Sequence, residues 1–325
     1  MSAPRIVVTR RIPDPALALL REAGDVWLSP HDRPLTREEL FDAVKGTDAI
    51  ICLLHDRIDD ELLDAAGPRL KVVANVAVGY DNVDTAAIAK RRSIWFTNTP
   101  GVLTEATADI AFSLILMATR RLGEGERMLR AQTSWSWNMF FMLGTGLQGK
   151  KLGIVGLGLI GQATSRRAKA FGMEIIYSGR RQADATIEQE FGATYVTFDD
   201  LLETADVVSL HCPLNADTRH LIDAARLTQM RDDAYLINTT RGPVVDEAAL
   251  VEALRAGEIK GAGLDVFEEE PKVHPGLLDL ENVVLIPHLG SATIETRTAM
   301  AVLAATNAVA VLRGERAPTP VVSVG

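Results

Sequence analysis

Leu152-Gly153-Ile154-Val155-Gly156-Leu157-Gly158-Leu159-Ile160-Gly161 is the stretch on which the reading of the whole chain turns. An apolar, strand-length run ends in a G-x-G-x-x-G pattern, and an amphipathic segment follows as far as Phe171. Gly156 permits a tight turn, Gly158 lets a backbone approach a pyrophosphate, and Gly161 lets a helix pack closely on the strand. The start of that helix offers free N–H groups and the positive end of its dipole. A glycine pattern alone is weak evidence. Set between a strand and a helix, with a second strand at the right distance, it points to a dinucleotide. Gly156, Leu157, Gly158, Leu159, Ile160 and Gly161 are therefore the expected cradle.

The second strand ends Ile175-Ile176-Tyr177-Ser178-Gly179-Arg180-Arg181. A site for NAD normally places Asp or Glu near this end, to accept hydrogen bonds from the adenosine ribose. Gly179 stands there instead. A carboxylate would repel a 2′-phosphate, whereas Ser178, Arg180 and Arg181 can bind one. NADP(H) is the expected preference, with NAD(H) as the second possibility. If both arginines are only solvated charges at a helix start, the preference is weak.

Outward from the motif, strand-length apolar runs alternate with helix-period segments over nearly the whole chain, which implies α/β architecture with parallel sheets. One series has runs near Ile6, Val26, Ile50, Val72 and Ile94, with helices between, and stops at Thr99-Pro100-Gly101. A long apolar helix starts near Thr104 and is expected to bridge two lobes. The segment Gly123 to Gly149 carries Trp135, Trp137, Phe140 and Phe141 without strand periodicity; it reads equally well as a contact arm or as core filling. The second series is Leu152–Val155, Glu174–Tyr177, Tyr195–Thr197, Val207–Leu210, Tyr235–Asn238, Gly263–Val266 and Val283–Ile286. It makes a complete doubly wound domain, which leaves the final helix, Ser291 to about Leu312, to pack back on the first lobe. The domains so drawn are 1–100 plus 291–325, and 101–290.

Three consecutive strands of the second series end in polar residues. One ends Asn238-Thr239-Thr240-Arg241-Gly242-Pro243, the next runs into Glu268-Glu269-Glu270-Pro271, and the last ends Pro287-His288-Leu289-Gly290. Ligands of open parallel sheets lie at this carboxyl edge. A guanidinium fork matches a carboxylate or carbonyl oxygen. A Glu beside a His favours the imidazolium form, which can donate a proton to a carbonyl oxygen and take it back. Taken singly, each of the three reads as readily as a surface charge or a helix cap; together they read as a catalytic set.

The remaining composition bounds the alternatives. The net charge is −9, apolar residues make up 47 % and charged residues 24 %, values of a folded protein with no surface built for nucleic-acid phosphates. No apolar run reaches the roughly 20 residues a membrane helix needs, and the N-terminus shows no signal core. Cys52 and Cys212 sit among apolar residues and read as buried thiols of a cytoplasmic protein. No metal-ligand cluster is evident. His31, His55, His220 and His274 have no partners at a useful spacing and are assigned to surface or structural roles.

The chain resembles the D-isomer-specific 2-hydroxyacid dehydrogenase family, most of all its glyoxylate/hydroxypyruvate reductases. The match runs from about Val72 to Thr293. It rests on the glycine motif, the Arg, Glu and His segments, Val76-Ala77-Val78-Gly79-Tyr80-Asp81-Asn82-Val83-Asp84, and Leu103-Thr104-Glu105-Ala106-Thr107-Ala108-Asp109. The resemblance implies a flavodoxin-like substrate lobe and an NAD(P)-binding Rossmann domain with a cleft between, usually as a homodimer. It implies reduction of a small 2-keto acid to the D-2-hydroxy acid, with His288 as acid/base, Glu270 as its partner and Arg241 bridging carboxylate and carbonyl oxygen.

Backbone N–H groups at Val78 and Gly79 would hold the carboxylate, and the loop containing Leu54 would shape specificity. Asp265 would anchor the nicotinamide carboxamide, with Thr107 beside the ring. Cys212, Pro213, Thr218, Thr239 and Gly290 complete the expected cofactor contacts, and His211 is read as structural. Formate dehydrogenases of the family have Gln where this chain has Glu270, which argues against that activity. Trp137 matches a tryptophan that reaches a neighbouring subunit's pocket in hydroxypyruvate reductases, although Met139 replaces the usual Pro two residues on. A 3-phosphoglycerate dehydrogenase and a dinucleotide-sensing protein akin to transcriptional corepressors are the alternatives.

Overall fold

The computed structural model describes residues 3–324. The chain forms two compact units, Met1–Leu103 with Thr293–Gly325, and Thr104–Ala292. These limits fall two or three residues from those drawn on sequence, because Thr293 is the N-cap of the last helix and its side chain accepts from Thr296 N–H (3.0 Å).

The first unit is a six-stranded sheet. Its strands β1 (Arg5–Val8), β2 (Asp25–Leu28), β3 (Ala49–Cys52), β4 (Val72–Asn75) and β5 (Trp95–Thr97) are parallel; Pro320–Val322 pairs antiparallel to β5. Counted from the free edge beyond β5, the order is Pro320–Val322, β5, β4, β3, β1, β2. For the parallel strands that is the 2-1-3-4-5 order of flavodoxin-like folds. Side chains alternate between the two faces with period two. Ile6, Val8, Ile51 and Ala74 pack under helices Asp14–Ala23 and Ile294–Leu312, the latter through Ala301, Ala304, Ala305 and Ala308. Val7, Ile50, Cys52 and Val73 face the other way, against Leu40, Leu62, Leu63 and Ile88. Helix starts in this unit are written into the sequence: Thr36 and Glu39 form a capping box, and Asp59 and Asp84 cap the helices that follow them.

The second unit contains β6 (Lys151–Val155), β7 (Glu174–Ser178), β8 (Ala193–Tyr195), β9 (Val207–Leu210), β10 (Tyr235–Asn238), β11 (Gly261–Leu264) and β12 (Val283–Leu285). All pair in parallel, in the order β12-β11-β10-β9-β6-β7-β8. This is the Rossmann order 3-2-1-4-5-6 with one more strand, and the order reverses between β6 and β9. Helix Thr104–Thr119 belongs to this unit and lies on β10, β11 and β12. β11 starts two residues earlier than its apolar pattern suggests. A Cβ on Gly263 would come within 3.0 Å of Leu114 Cβ, and one on Gly261 within 2.7 Å of the Asn282 carbonyl oxygen. The glycines that weaken the strand signal are those that let the helix and the next strand approach. Among the described residues no helix is long and apolar enough to cross a membrane.

Candidate active site

Strands β10, β11 and β12 are neighbours, so their carboxyl ends deliver Arg241, Glu270 and His288 to one edge. Arg241 leaves β10 in extended conformation just before the short 3-10 turn Gly242–Val244. Asn238 Nδ2 donates to the Arg241 carbonyl (2.9 Å), and the guanidinium Nη1 donates to the Thr240 carbonyl (2.9 Å). Gly242 is required here, since a Cβ would meet the Phe267 carbonyl carbon at 1.9 Å. The backbone after β10 is thereby pressed against the backbone after β11, which fixes Arg241 relative to the Glu270 loop.

His288 Nδ1 and Glu270 Oε2 are 2.8 Å apart, and Glu270 Oε1 accepts from the Phe267 N–H (3.1 Å). Burial pushes the Glu270 carboxyl up, but the His288 hydrogen bond and charge, the Phe267 N–H and the Arg241 charge outweigh it and hold it below the usual carboxylate range. Glu270 is therefore ionised at neutral pH, and the His288 Nδ1–H donates to it, which leaves Nε2 for other chemistry. His288 has φ +51°, a left-handed conformation that a non-glycine residue adopts only when its surroundings enforce it. Here Asp265 enforces it: the Asp265 carbonyl accepts from His288 N–H (2.9 Å), and its carboxylate accepts from Leu289 N–H (2.5 Å) and Gly290 N–H (2.8 Å). Asp265 is 1 % exposed, and burial raises its pKa despite those bonds. Thr107 Oγ1 donates to the Gly290 carbonyl (3.2 Å). Asp265 and Thr107 are thus both engaged in holding the His288 loop, and Asp265 keeps unused lone pairs.

The glycine motif sits at the sheet's reversal point. Gly156 has φ +98°, and a Cβ on Gly161 would meet the Gly156 carbonyl oxygen at 2.5 Å. Gly158 differs from both. Its φ is ordinary, a Cβ there would meet nothing within 4 Å, and it caps helix Leu159–Ala170 without a side-chain hydrogen bond. The space a side chain would fill in front of those free N–H groups suits a pyrophosphate. Two buried side-chain atoms after the adjacent strands, Thr239 Oγ1 and His211 Nδ1, lack a partner among the described residues. The other His211 nitrogen lies 2.9 Å from Ser209 Oγ, and burial lowers the ring's pKa to about 4. These features fit a dinucleotide. Ser178 is buried at the end of β7, and Gly179, Arg180 and Arg181 are exposed. Neither arginine has a hydrogen bond or ion pair among the described residues. Cys212 is half-buried, its thiol pushed up to about 11 by burial, and Thr218 Oγ1 closes its own loop on the Pro213 carbonyl (2.6 Å).

In the first unit, Leu54 is half-buried on the loop after β3, and Val78 and Gly79 are half-buried after β4. The Asp56 carboxylate anchors the first of these loops through Leu53 N–H (2.8 Å) and Thr9 Oγ1 (2.6 Å). The second is tied by Asn75 and Asn98, which sequence reading passed over. Carboxamides leave no pattern in a sequence; an Asn closing a buried apolar strand was the one available signal.

Other expectations are corrected. His220 has partners: Glu268 Oε1 bonds its Nε2, and Asp246 lies 3.9 Å from its Nδ1. Sequence spacing hid them because the contact joins different strand ends. His274 caps helix Pro275–Leu278, in keeping with the structural role expected of it. The aromatic segment is not core: Trp135, Trp137 and Phe140 are 52 %, 75 % and 83 % exposed, and helix Leu122–Arg130 buries no residue. Among the described residues no group of His, Cys, Asp and Glu could hold a metal ion.

Residues 112–290 match the model of the D-isomer specific 2-hydroxyacid dehydrogenase family, NAD binding domain. A glyoxylate reductase of Thermococcus litoralis is 48 % identical over 97 % of this chain and 96 % of its own. Among solved structures, a glyoxylate reductase from Paecilomyes thermophila superposes with TM-score 0.90 at 35 % identity, covering 99 % of each chain. An NADPH-dependent glyoxylate/hydroxypyruvate reductase from Sinorhizobium meliloti, in complex with NADP and malonate, gives TM-score 0.86 at 38 % identity over 99 % of this chain and 98 % of that one. With one mostly parallel and one wholly parallel sheet, and the Arg, Glu and His at the edge of the second, the chain belongs to the D-isomer-specific 2-hydroxyacid dehydrogenase family.

Proposed function

We propose that the protein reduces glyoxylate or hydroxypyruvate to the D-2-hydroxy acid, glycolate or D-glycerate, with NADPH preferred to NADH. The observation that carries this reading is the 2.8 Å contact between His288 Nδ1 and an ionised Glu270, at the same sheet edge as Arg241. Glu270 fixes the orientation of the His288 ring through Nδ1, so that Nε2–H faces outward to donate a proton to the keto oxygen. Arg241 offers its fork to the carboxylate and the polarised carbonyl oxygen, and Val78 and Gly79 N–H groups take the carboxylate. When bound, a reduced nicotinamide would supply the hydride for the keto carbon. Gly156–Gly161 with the N-terminus of helix Leu159–Ala170 would hold its pyrophosphate, Ser178, Arg180 and Arg181 the 2′-phosphate, and Thr107, Cys212, Pro213, Thr218, Thr239, Asp265 and Gly290 the remaining parts. The absence of an acid at the end of β7, and Arg180 and Arg181 with no ion pair among the described residues, support the NADP(H) preference.

The same reading includes a cytoplasmic homodimer. Support for the dimer is the run of exposed apolar side chains Trp135, Trp137, Met139 and Phe140, which a second copy would cover. The test is the initial rate of NADPH and NADH oxidation with glyoxylate, hydroxypyruvate and pyruvate in parallel. Turnover of the first two acids with a lower KM for NADPH is the expected result. No turnover despite tight dinucleotide binding would transfer the assignment to another acid, such as 3-phosphohydroxypyruvate, or to a sensor.

A further inference from the structure

In the loop that follows β4, three successive carbonyls are held by donors of this unit. The Ala77 carbonyl accepts from Thr99 N–H (2.9 Å), the Val78 carbonyl from Asn98 Nδ2 (2.9 Å) and the Gly79 carbonyl from Asn75 Nδ2 (3.1 Å). These peptides are trans, so each carbonyl points opposite to the N–H of the following residue. Holding the Ala77 carbonyl therefore aims the Val78 N–H away from the clamp, and holding the Val78 carbonyl does the same for the Gly79 N–H. Neither N–H has an acceptor among the described residues.

The clamp matters because of the glycine. Rotating the Val78–Gly79 peptide plane by half a turn changes only ψ of Val78 and φ of Gly79, and glycine accepts either sign of φ. Unrestrained, that peptide has two orientations, one presenting N–H and the other presenting a carbonyl oxygen to the same place. Asn98 Nδ2 selects the first.

Asn98 is in turn fixed from behind. Its carbonyl accepts from Thr319 Oγ1 (2.7 Å). Asn307, fully buried on an otherwise apolar helix face, accepts from Thr319 N–H (2.9 Å) and donates Nδ2 to Thr319 Oγ1 (2.7 Å). A buried carboxamide is costly unless its hydrogen bonds are made, and these bonds both go to Thr319.

We infer that Asn98 is a positioning residue for the substrate carboxylate, acting through the Val78–Gly79 peptide and backed by Thr319 and Asn307. The inference rests on the reading that Val78 and Gly79 N–H groups receive that carboxylate. It assigns part of the affinity for the acid to the far end of the chain, which touches no substrate.

The test compares Asn98→Ala, Asn98→Asp and Thr319→Val with the unaltered protein. Asn98→Ala should raise KM for glyoxylate and Kd for oxamate, an unreactive carboxylate-bearing analogue, by about tenfold, the effect of one hydrogen bond to an ion-binding group. Asn98→Asp keeps the volume but faces the Val78 carbonyl with a carboxylate, and should exceed the alanine effect. Thr319→Val should raise KM less, by about threefold. Throughout, kcat and Kd for NADPH should stay within about twofold, the signature of lost ground-state binding. A lower melting temperature with reduced kcat and an unchanged KM would overturn the inference and leave Asn98 with a structural role only. If the unaltered protein neither reduces glyoxylate nor binds oxamate, the reading of the loop falls, and the inference with it.

Discussion

At the carboxyl edge of the seven-stranded sheet the polar groups brought together are ionisable side chains, Arg241, Glu270 and His288. At the corresponding edge of the six-stranded sheet, Asn75, Asn98 and Asp56 hold the backbone, and the groups proposed to act are the peptide N–H groups of Val78 and Gly79. The difference follows the chemistry assigned to each edge. Proton transfer needs a group that changes charge, and such a group needs a partner to set its state. A carboxylate that only has to be held needs fixed dipoles, which have no protonation state and lose no side-chain entropy on binding. The charged edge spends its hydrogen bonds on tuning; the neutral edge spends them on orientation.

The sharpest way to break this contrast is His288→Gln. It should lower kcat for keto-acid reduction by about 10²–10⁴-fold, with NADPH affinity, measured by fluorescence titration, nearly unchanged. Near-normal turnover would remove His288 as the acid/base and the contrast with it. Two glycines on the seven-stranded side form the next test. Gly158→Ala meets empty space, so it should leave the melting temperature unchanged while weakening dinucleotide binding about 10–100-fold. Gly242→Ala collides with the Phe267 carbonyl and should destabilise the fold by about 1–3 kcal/mol, visible in urea unfolding. The reverse pattern would show that Gly158 serves packing. Arg180→Glu should raise KM for NADPH about tenfold and leave KM for NADH within twofold; equal effects would show that Arg180 does not read the 2′-phosphate.

The smallest effect is on pH-dependent stability, where the two edges should have opposite signs. Glu270 is held below its ordinary range, so its contribution is present above the unfolded carboxylate value and is lost as pH falls through the folded one. Asp56 is raised by burial, so the folded state binds its proton more readily and gains stability as pH falls through that raised value. Glu270→Gln should flatten the fall in melting temperature on acidification, and Asp56→Asn should steepen it. Parallel changes in the two variants would mean that neither carboxyl sets the slope.

The charged edge was legible from sequence because function there resides in residue types. Arg241, Glu270 and His288 each follow a strand, and strand periodicity alone places them together. The glycine motif was legible for a related reason: Gly156 and Gly161 answer to the backbone, and Gly158 to whatever occupies the space in front of it. The role proposed for the Val78–Gly79 edge came only through resemblance. Its working atoms are peptide groups that every residue carries, and Asn98 sits 20 residues from the carbonyl it holds. The antiparallel strand Pro320–Val322 was missed because a three-residue run opening on proline gives no alternation to read. Glu268 and Asp246 beside His220 went unseen because the contact crosses between strand ends.

The interruption of the first unit by the second has a consequence during synthesis. Residues 104–292 emerge together, so the dinucleotide-binding unit has all its strands before the chain is finished. The six-stranded sheet has not: Ile6, Val8, Ile51 and Ala74 lack the alanine face of helix Ile294–Leu312, and Asn98 lacks Thr319, until residues 294–322 have been made. On the proposed function, a nascent chain therefore completes the unit assigned to the coenzyme earlier than the loop assigned to the acid. During that interval an apolar sheet face stays open to chaperones.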